Sequence, residues 1–270
     1  MEGIREKTTN VTYPKLRRFN GIMGAVHLVQ GIFMIIASFV IPGVKDSKLD
    51  INIDFLIFDL TKPGGPGLRS DLIEYFNVIP IATLAASFLF LSAIAHFLIV
   101  LPGLNNFYNE KLEQGINYFR WFEYSISSSI MILLIAILFG VNNLAAIIAI
   151  VGLNATMNLM GLMMEKHNQT TERTDWTAFI IGTFAGIIPW ILIVIYLVGN
   201  GNVGDAPWFV WAILAGYFTF FWTFPVNMIL QYAKVGKWKD YLFGERGYIV
   251  LSLVSKSLLA WLVFGGTFQP

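Results

Sequence analysis

The segment Tyr248-Ile249-Val250-Leu251-Ser252-Leu253-Val254-Ser255-Lys256-Ser257-Leu258-Leu259-Ala260-Trp261 decides the fold. It lies in an apolar run over about 247–267, long enough to cross a bilayer, which takes roughly 20 residues. Yet it carries a lysine near its middle, too deep to reach either interface comfortably. Six more runs of this kind precede it, at about 20–42, 76–101, 117–139, 142–164, 176–198 and 207–233. Breakers separate them: Pro42-Gly43, Pro102-Gly103, Gly199 to Gly204, and Pro207. Trp176, Trp208, Trp211 and Trp238 fall near the ends, as an interfacial belt does. The reading is an all-α membrane protein with seven transmembrane helices, one domain over 1–270. The first run carries no small-residue cleavage site and is read as a retained helix.

Composition supports this. Of 270 residues, 56% are hydrophobic and 13% charged, against about a quarter charged in soluble domains. The net charge of +1 leaves no basic excess for nucleic acid. With no cysteine, disulfides and thiolate chemistry are excluded. The histidines, His27, His96 and His167, make no metal-ligand pattern. No nucleophile–His–acid set and no phosphate loop is present, so the chain does not read as an enzyme.

Lysine and arginine set the orientation. Arg5, Lys7, Lys15, Arg17 and Arg18 lie in the N-terminal tail. Lys111, Lys166, Arg173, Lys234, Lys237, Lys239 and Arg246 lie in loops on the same side. The opposite side has Lys45, Lys48, Lys62 and Arg69, all in one loop. The positive-inside rule puts the N-terminus in the cytoplasm. The C-terminus is then extracellular and the protein sits in the cell membrane. The long first extracellular loop contains Leu49-Asp50-Ile51-Asn52-Ile53-Asp54-Phe55, whose alternation reads as a strand with one buried face. Lys62-Pro63-Gly64-Gly65-Pro66-Gly67 follows as a turn, so a short β-hairpin is expected there. Its edge can pair with another chain, or the hairpin can pack on its own helix ends.

Arg120, Glu123 and Lys256 are the formal charges read as lying well inside the spans. Such groups are costly at that depth and default to functional hypotheses. A desolvated lysine amine is a nucleophile that can condense with an aldehyde. The bland alternative is a lysine paired with an acid for assembly alone. Glu123 is read as the only deep acid, hence the partner for a cation at Lys256. Arg120, three residues earlier, should help hold Glu123 ionised or compete for it. Ser127, one turn beyond Glu123, and Ser252, one turn before Lys256, offer hydroxyls to the pair. Trp222 and Pro225 in span six give an aromatic wall at a kink. Tyr217 and Trp190 are weaker candidates of the same kind. Gly182-Thr183-Phe184-Ala185-Gly186 is a helix-packing motif that could meet another helix or another subunit.

Arg120-Trp121-Phe122-Glu123-Tyr124-Ser125 and Ser252-Leu253-Val254-Ser255-Lys256 resemble the third- and seventh-helix segments of the heliorhodopsins. The inverted orientation, His27 in helix one, His96 in helix two, the long first loop and the lack of an aspartate counterion agree. The resemblance spans the chain. It implies all-trans retinal on Lys256 as a protonated Schiff base, with Glu123 as counterion, and it implies a homodimer. The candidate retinal-binding residues are Lys256, Glu123, Ser127, Ser252, Trp222, Tyr124 and Pro225.

Polar residues are uneven with depth. After Ser129, span three has no polar side chain through Phe139, and span seven is apolar from Leu258 up to Gly265. His27, His96 and Arg120 fall in cytoplasmic halves and form an expected proton-accepting cluster, since histidine changes charge near neutral pH. A pump needs carboxylates or water on both sides of its chromophore. The reading is therefore a photosensory switch acting on an unidentified cytoplasmic signalling partner. A light-driven transporter, or a seven-helix receptor for a ligand other than retinal, are the alternatives.

Overall fold

The computed structural model describes residues 9–46, 48–76, 80–199, 204 and 208–266. Arg5, Lys7, Pro207 and much of the Gly199 to Gly204 breaker lie outside them. The order is α1 (Tyr13–Val40), α2 (Pro42–Asp46), β1 (Ile51–Asp59), β2 (Gly67–Phe76), α3 (Ile81–Val100) and α4 (Pro102–Glu113). Then come α5 (Tyr118–Leu138), α6 (Leu144–His167), α7 (Thr177–Gly199), α8 (Trp208–Tyr232), a 3-10 turn at Gly236–Lys239, and α9 (Tyr241–Gly266). Among the described residues, α1, α3 and α5 to α9 are the helices long and apolar enough to cross a membrane.

Side-chain caps fix where several helices begin. Thr12 accepts from Lys15 N at α1, where Pro14 costs no hydrogen bond. Asn117 accepts from Arg120 N at 3.0 Å, starting α5. Asn143 accepts from Ala145 N and Ala146 N, starting α6. Gly140, at φ 92°, makes the tight turn between those two helices. The helices pack in sequence order: α1 on α3, α3 on α5, α5 on α6, α6 on α7, α8 on α9, with α9 closing on α1 and α3. Close approach needs small residues in a membrane. A Cβ on Gly24 of α1 would lie 3.1 Å from the His96 Cβ of α3. A Cβ on Gly182 would lie 2.9 Å from the Met160 Cβ, and one on Gly186 would overlap Met157. The small-residue motif of α7 therefore meets α6 of its own chain.

The hairpin is antiparallel, from Asn52 opposite Glu74 to Asp59 opposite Gly67. The strand runs over Ile51–Asp59 rather than 49–55, and its expected buried face is absent. The reason is that β1 touches the helices only at its base. There Asn52 N donates to Asn142 O at 2.9 Å, and Asn143 Nδ2 donates to Asp54 Oδ2 at 3.1 Å. Further out, Phe55, Leu56 and Phe58 are exposed.

We call the face where α1 begins proximal and the other distal. The distal half is filled by apolar side chains, among them Met34, Phe88, Leu134, Ile135, Ile193 and Val263. The buried polar residues Asn20, His27, His96, Asn117, Arg120, Glu165 and Glu245 lie in the proximal half. α4 was not expected: it replaces part of a loop and lies over that polar region, burying Tyr108 and Leu112.

Candidate functional site

Lys256 on α9 is buried, and its Nζ donates to Glu123 Oε1 on α5 at 2.6 Å. It also donates to Ser92 Oγ on α3. Ser92 Oγ in turn donates to Glu123 Oε1 at 2.7 Å. Three helices are thus pinned by one ion pair and one hydroxyl. Burying a charge is costly unless it is paired and hydrogen-bonded, and here both conditions are met. The amine also lies 5.3 Å from the centroid of the Tyr124 ring.

From Lys256 a cavity runs between α5, α6, α7, α8 and α9. Tyr124, Ser252, Trp222, Pro225, Tyr217 and Phe221 line it. Trp222 is held edge-on by Phe218 and Phe221. Pro225, inside α8, removes a helix hydrogen bond. Trp190 packs behind, against Tyr217 and Phe221. Asn154 Nδ2 and Asn158 Nδ2 in the wall donate to Ser128 Oγ at 2.7 and 2.9 Å, while among the described residues Trp222 Nε1 and Tyr248 OH find no hydrogen-bond partner. What remains is a largely apolar, aromatic cavity bordered by the Lys256 amine. Gly161 makes room for its wall, since a Cβ there would overlap the Trp121 ring.

On the proximal side of the pair, His27 and His96 stack with centroids 5.6 Å apart. His96 Nδ1 donates to Asn20 Oδ1 at 2.7 Å, while neither ring nitrogen of His27 has a partner. A small cavity of about 30 Å³ has His96, Ser92, Glu123, Arg120 and Glu245 among its lining residues. That is room for about two waters.

Arg120 does not lie beside Glu123. Its guanidinium bridges Glu165 on α6 and Glu245 on α9, with Tyr248 and Trp121 rings 4.0 and 4.8 Å away. Glu165 Oε2 accepts from Trp121 Nε1 at 2.6 Å and from Asn117 N at 3.0 Å. Glu245 Oε1 accepts from Asn117 Nδ2 at 2.7 Å and from Tyr108 OH at 3.0 Å. Burial and the neighbouring Glu245 carboxylate push the Tyr108 hydroxyl well above the ordinary tyrosine range, so it stays a donor.

The sequence of the whole bundle matches a family model. The description of that model is "Heliorhodopsin", and it covers residues 16–268. The chain belongs to the heliorhodopsin family. Membership implies a retinal chromophore and a bilayer, and supports a retinal photoreceptor at the level of the family. Among solved structures, the rhodopsin of Exiguobacterium sibiricum is similar with a TM-score of 0.57 at 15% identity. The match covers 92% of this chain and 95% of that one, and shows a rhodopsin-like fold. No curated protein matches.

Set against the residues expected from sequence, the heliorhodopsin site gathers some and disperses others. Lys256, Glu123, Tyr124, Ser252, Trp222 and Pro225 converge on one region. Ser127 is buried with its hydroxyl near Glu123, farther out than that of Ser92. Ser92 on α3, which the sequence did not single out, makes the close bonds to both ions. Glu123 is not the only buried acid: Glu165 and Glu245, near the ends of α6 and α9, are each 2% exposed. The helices α6 and α9 run to His167 and from Tyr241, past the apolar runs 142–164 and 247–267, and these extra turns carry both acids inward.

Proposed function

We propose that Lys256 binds all-trans retinal as a protonated Schiff base with Glu123 as counterion, in a light-driven switch that moves no ion. The observation that carries this is the Lys256–Glu123 pair at 2.6 Å opening onto an aromatic cavity. The residues present fit the group. The amine supplies the attachment point, Glu123 and Ser92 hold a positive charge there, and Tyr124, Trp222 and Pro225 wall a flat chain. Retinal when bound supplies visible absorption and light-driven isomerisation.

The non-pumping reading rests on the distal half. Beyond Ser129 the buried α5 positions are Met131, Ile132, Leu134, Ile135, Ala136 and Ile137. A bare charge does not cross such a layer cheaply. Among the described residues, the titratable groups open to a proton leaving the Lys256 region lie on the proximal side: His96 and His27, and beyond them the Arg120 cluster. In this reading the protein is a sensor rather than an enzyme, one membrane domain with its proximal face in the cytoplasm. It works as a homodimer and signals to a cytoplasmic partner. The exposed apolar residues of the hairpin support pairing with a second copy.

The test is reconstitution of the purified apoprotein with all-trans retinal, with Lys256→Ala as control. A band far to the red of free retinal, absent from the variant, is expected. A folded wild-type protein without that band overturns the proposal.

A further inference from the structure

A second site lies at the proximal end of the α1–α9 seam, away from the cavity. Lys15 and Arg18 of α1, Lys237 of the 3-10 turn and Arg246 of α9 surround one open groove, floored by Leu16, Phe19 and Phe243. Arg246 lies over the Phe19 ring at 5.4 Å, which fixes the α1–α9 seam at its proximal end. Lys15 Nζ donates to Asn10 O. Among the described residues, no carboxylate pairs with Arg18, Lys237 or Arg246. Converging like charges without an anion repel one another, so the groove is complementary to a negative group.

The groove does not end in water. Down α1, Ile22, Val26 and Val29 continue the exposed stripe of Lys15 and Arg18 at helical spacing. Down α9, Val250 and Val254 continue that of Arg246. The two stripes meet again at Trp261, whose Nε1 donates to Gln30 Oε1 at 3.0 Å and whose ring lies 5.2 Å from Phe33. The result is a cationic groove at the head of two exposed apolar stripes that an aromatic contact joins at the far end. An exposed apolar stripe is ordinary on a spanning helix; the unpaired cations at its head are not.

We propose that this α1–α9 groove binds one anionic phospholipid, with its phosphate among Arg18, Lys237 and Arg246 and one acyl chain along Ile22 and Val26. A soluble phosphate would use the head and ignore the walls. Basic pockets at the membrane face suit anionic headgroups.

The experiment is native mass spectrometry of the full-length protein carrying retinal, in detergent with dioleoyl-phosphatidylglycerol or dioleoyl-phosphatidylcholine. One tightly held phosphatidylglycerol is expected, retained about tenfold or more over phosphatidylcholine. The triple variant Arg18→Ala/Lys237→Ala/Arg246→Ala should lose that preference while helix content by circular dichroism is unchanged. Ile22→Trp, which leaves the charges and narrows the wall, should weaken phosphatidylglycerol retention. If the triple variant does not fold, Lys237→Ala alone, in the exposed turn, should weaken retention several-fold. Equal retention of the two lipids by the wild type overturns the proposal. So does displacement of phosphatidylglycerol by millimolar glycerol phosphate together with no effect of Ile22→Trp.

Discussion

Lys256 Nζ lies 2.6 Å from Glu123 Oε1, across 133 positions of chain and from helices that also meet Ser92. Removing one member of a buried pair leaves an uncompensated charge, at a cost of about 3–5 kcal/mol. In Glu123→Gln the carboxamide cannot balance a positive charge at Lys256. The retinal-loaded variant is expected to lose its visible band at neutral pH and recover it only in acid. A spectrophotometric pH titration reads this directly. A visible band at neutral pH as strong as in the wild type would remove Glu123 from the role of counterion.

Ser92→Ala tests the hydroxyl that joins the pair. It deletes one acceptor for Lys256 and one donor to Glu123 but leaves the ions opposite each other. A hydrogen bond to a charged group contributes about 1.5–3 kcal/mol. The visible band should persist, shifted in position, with a lower melting temperature. Ser127→Ala, which removes a more distant hydroxyl from Glu123 and none from Lys256, should have the smaller effect on both. If the two variants behave alike, the bridging geometry has no energetic content.

Arg120→Gln should destabilise the fold more than it alters colour. It leaves Glu165 and Glu245 buried on α6 and α9 with no cation between them. The expected loss is about 3–5 kcal/mol, read as an earlier thermal unfolding midpoint. Adding Glu165→Gln and Glu245→Gln to Arg120→Gln should restore part of it, because the uncompensated charge is then gone. Failure of that rescue would show that the cluster stabilises through packing on Trp121 and Tyr248 instead.

This cluster marks the limit of what sequence made legible. Apolar runs located all seven spans, because bilayer crossing depends on length and composition alone. Lys256 and Glu123 stood out because each interrupts such a run. Glu165 and Glu245 did not, since each sits just outside the window that hydropathy draws. Tyr108 of α4 covers Glu245, and the apolar-run criterion passes over so short and polar a helix. Ser92 was invisible for another reason: a lone serine in an apolar helix usually bonds its own carbonyls, as Ser92 does with Phe88 O at 3.1 Å, and only three-dimensional packing adds Lys256 and Glu123. The hairpin's turn was readable from Gly64 and Gly65, but its lack of a buried face was not, because alternation fixes the faces of a strand and not what covers them.

Acid should loosen the start of α7. Asp175 Oδ1 accepts from Thr177 N at 2.8 Å, and hydrogen bonds from Thr177 hold the Asp175 carboxyl below the usual carboxylate range. A depressed folded value means the contribution is complete above the unfolded value of about 3.9. It is lost as pH falls below that, through the folded value. Hydrogen exchange at the Thr177 to Phe179 amides should therefore speed up below about pH 4, beyond the intrinsic pH effect. Asp175→Ala should show the faster exchange already at neutral pH. Unchanged protection in that variant would show that the cap does not hold the helix end.

The distribution of polar groups makes a last prediction about transport. In the distal half the interior around α5 is Ile132, Leu134, Ile135 and Ala136, packed on Phe88, Ile193 and Val263. Waters need two to four polar partners to persist, and these side chains offer none. Illuminated vesicles containing the retinal-loaded protein should show no pH change that an uncoupler abolishes. A proton released from the Lys256 region should instead be held in the proximal half. His96→Ala, which removes the ring bonded to Asn20 and stacked on His27, should change the lifetime of the deprotonated state several-fold, seen by flash photolysis. The two readouts separate the readings. Uncoupler-sensitive acidification or alkalinisation would establish a conducting path through backbone groups and favour a transporter. An unchanged lifetime in His96→Ala with no transport would keep the switch and move the proton acceptor to the Arg120, Glu165 and Glu245 cluster.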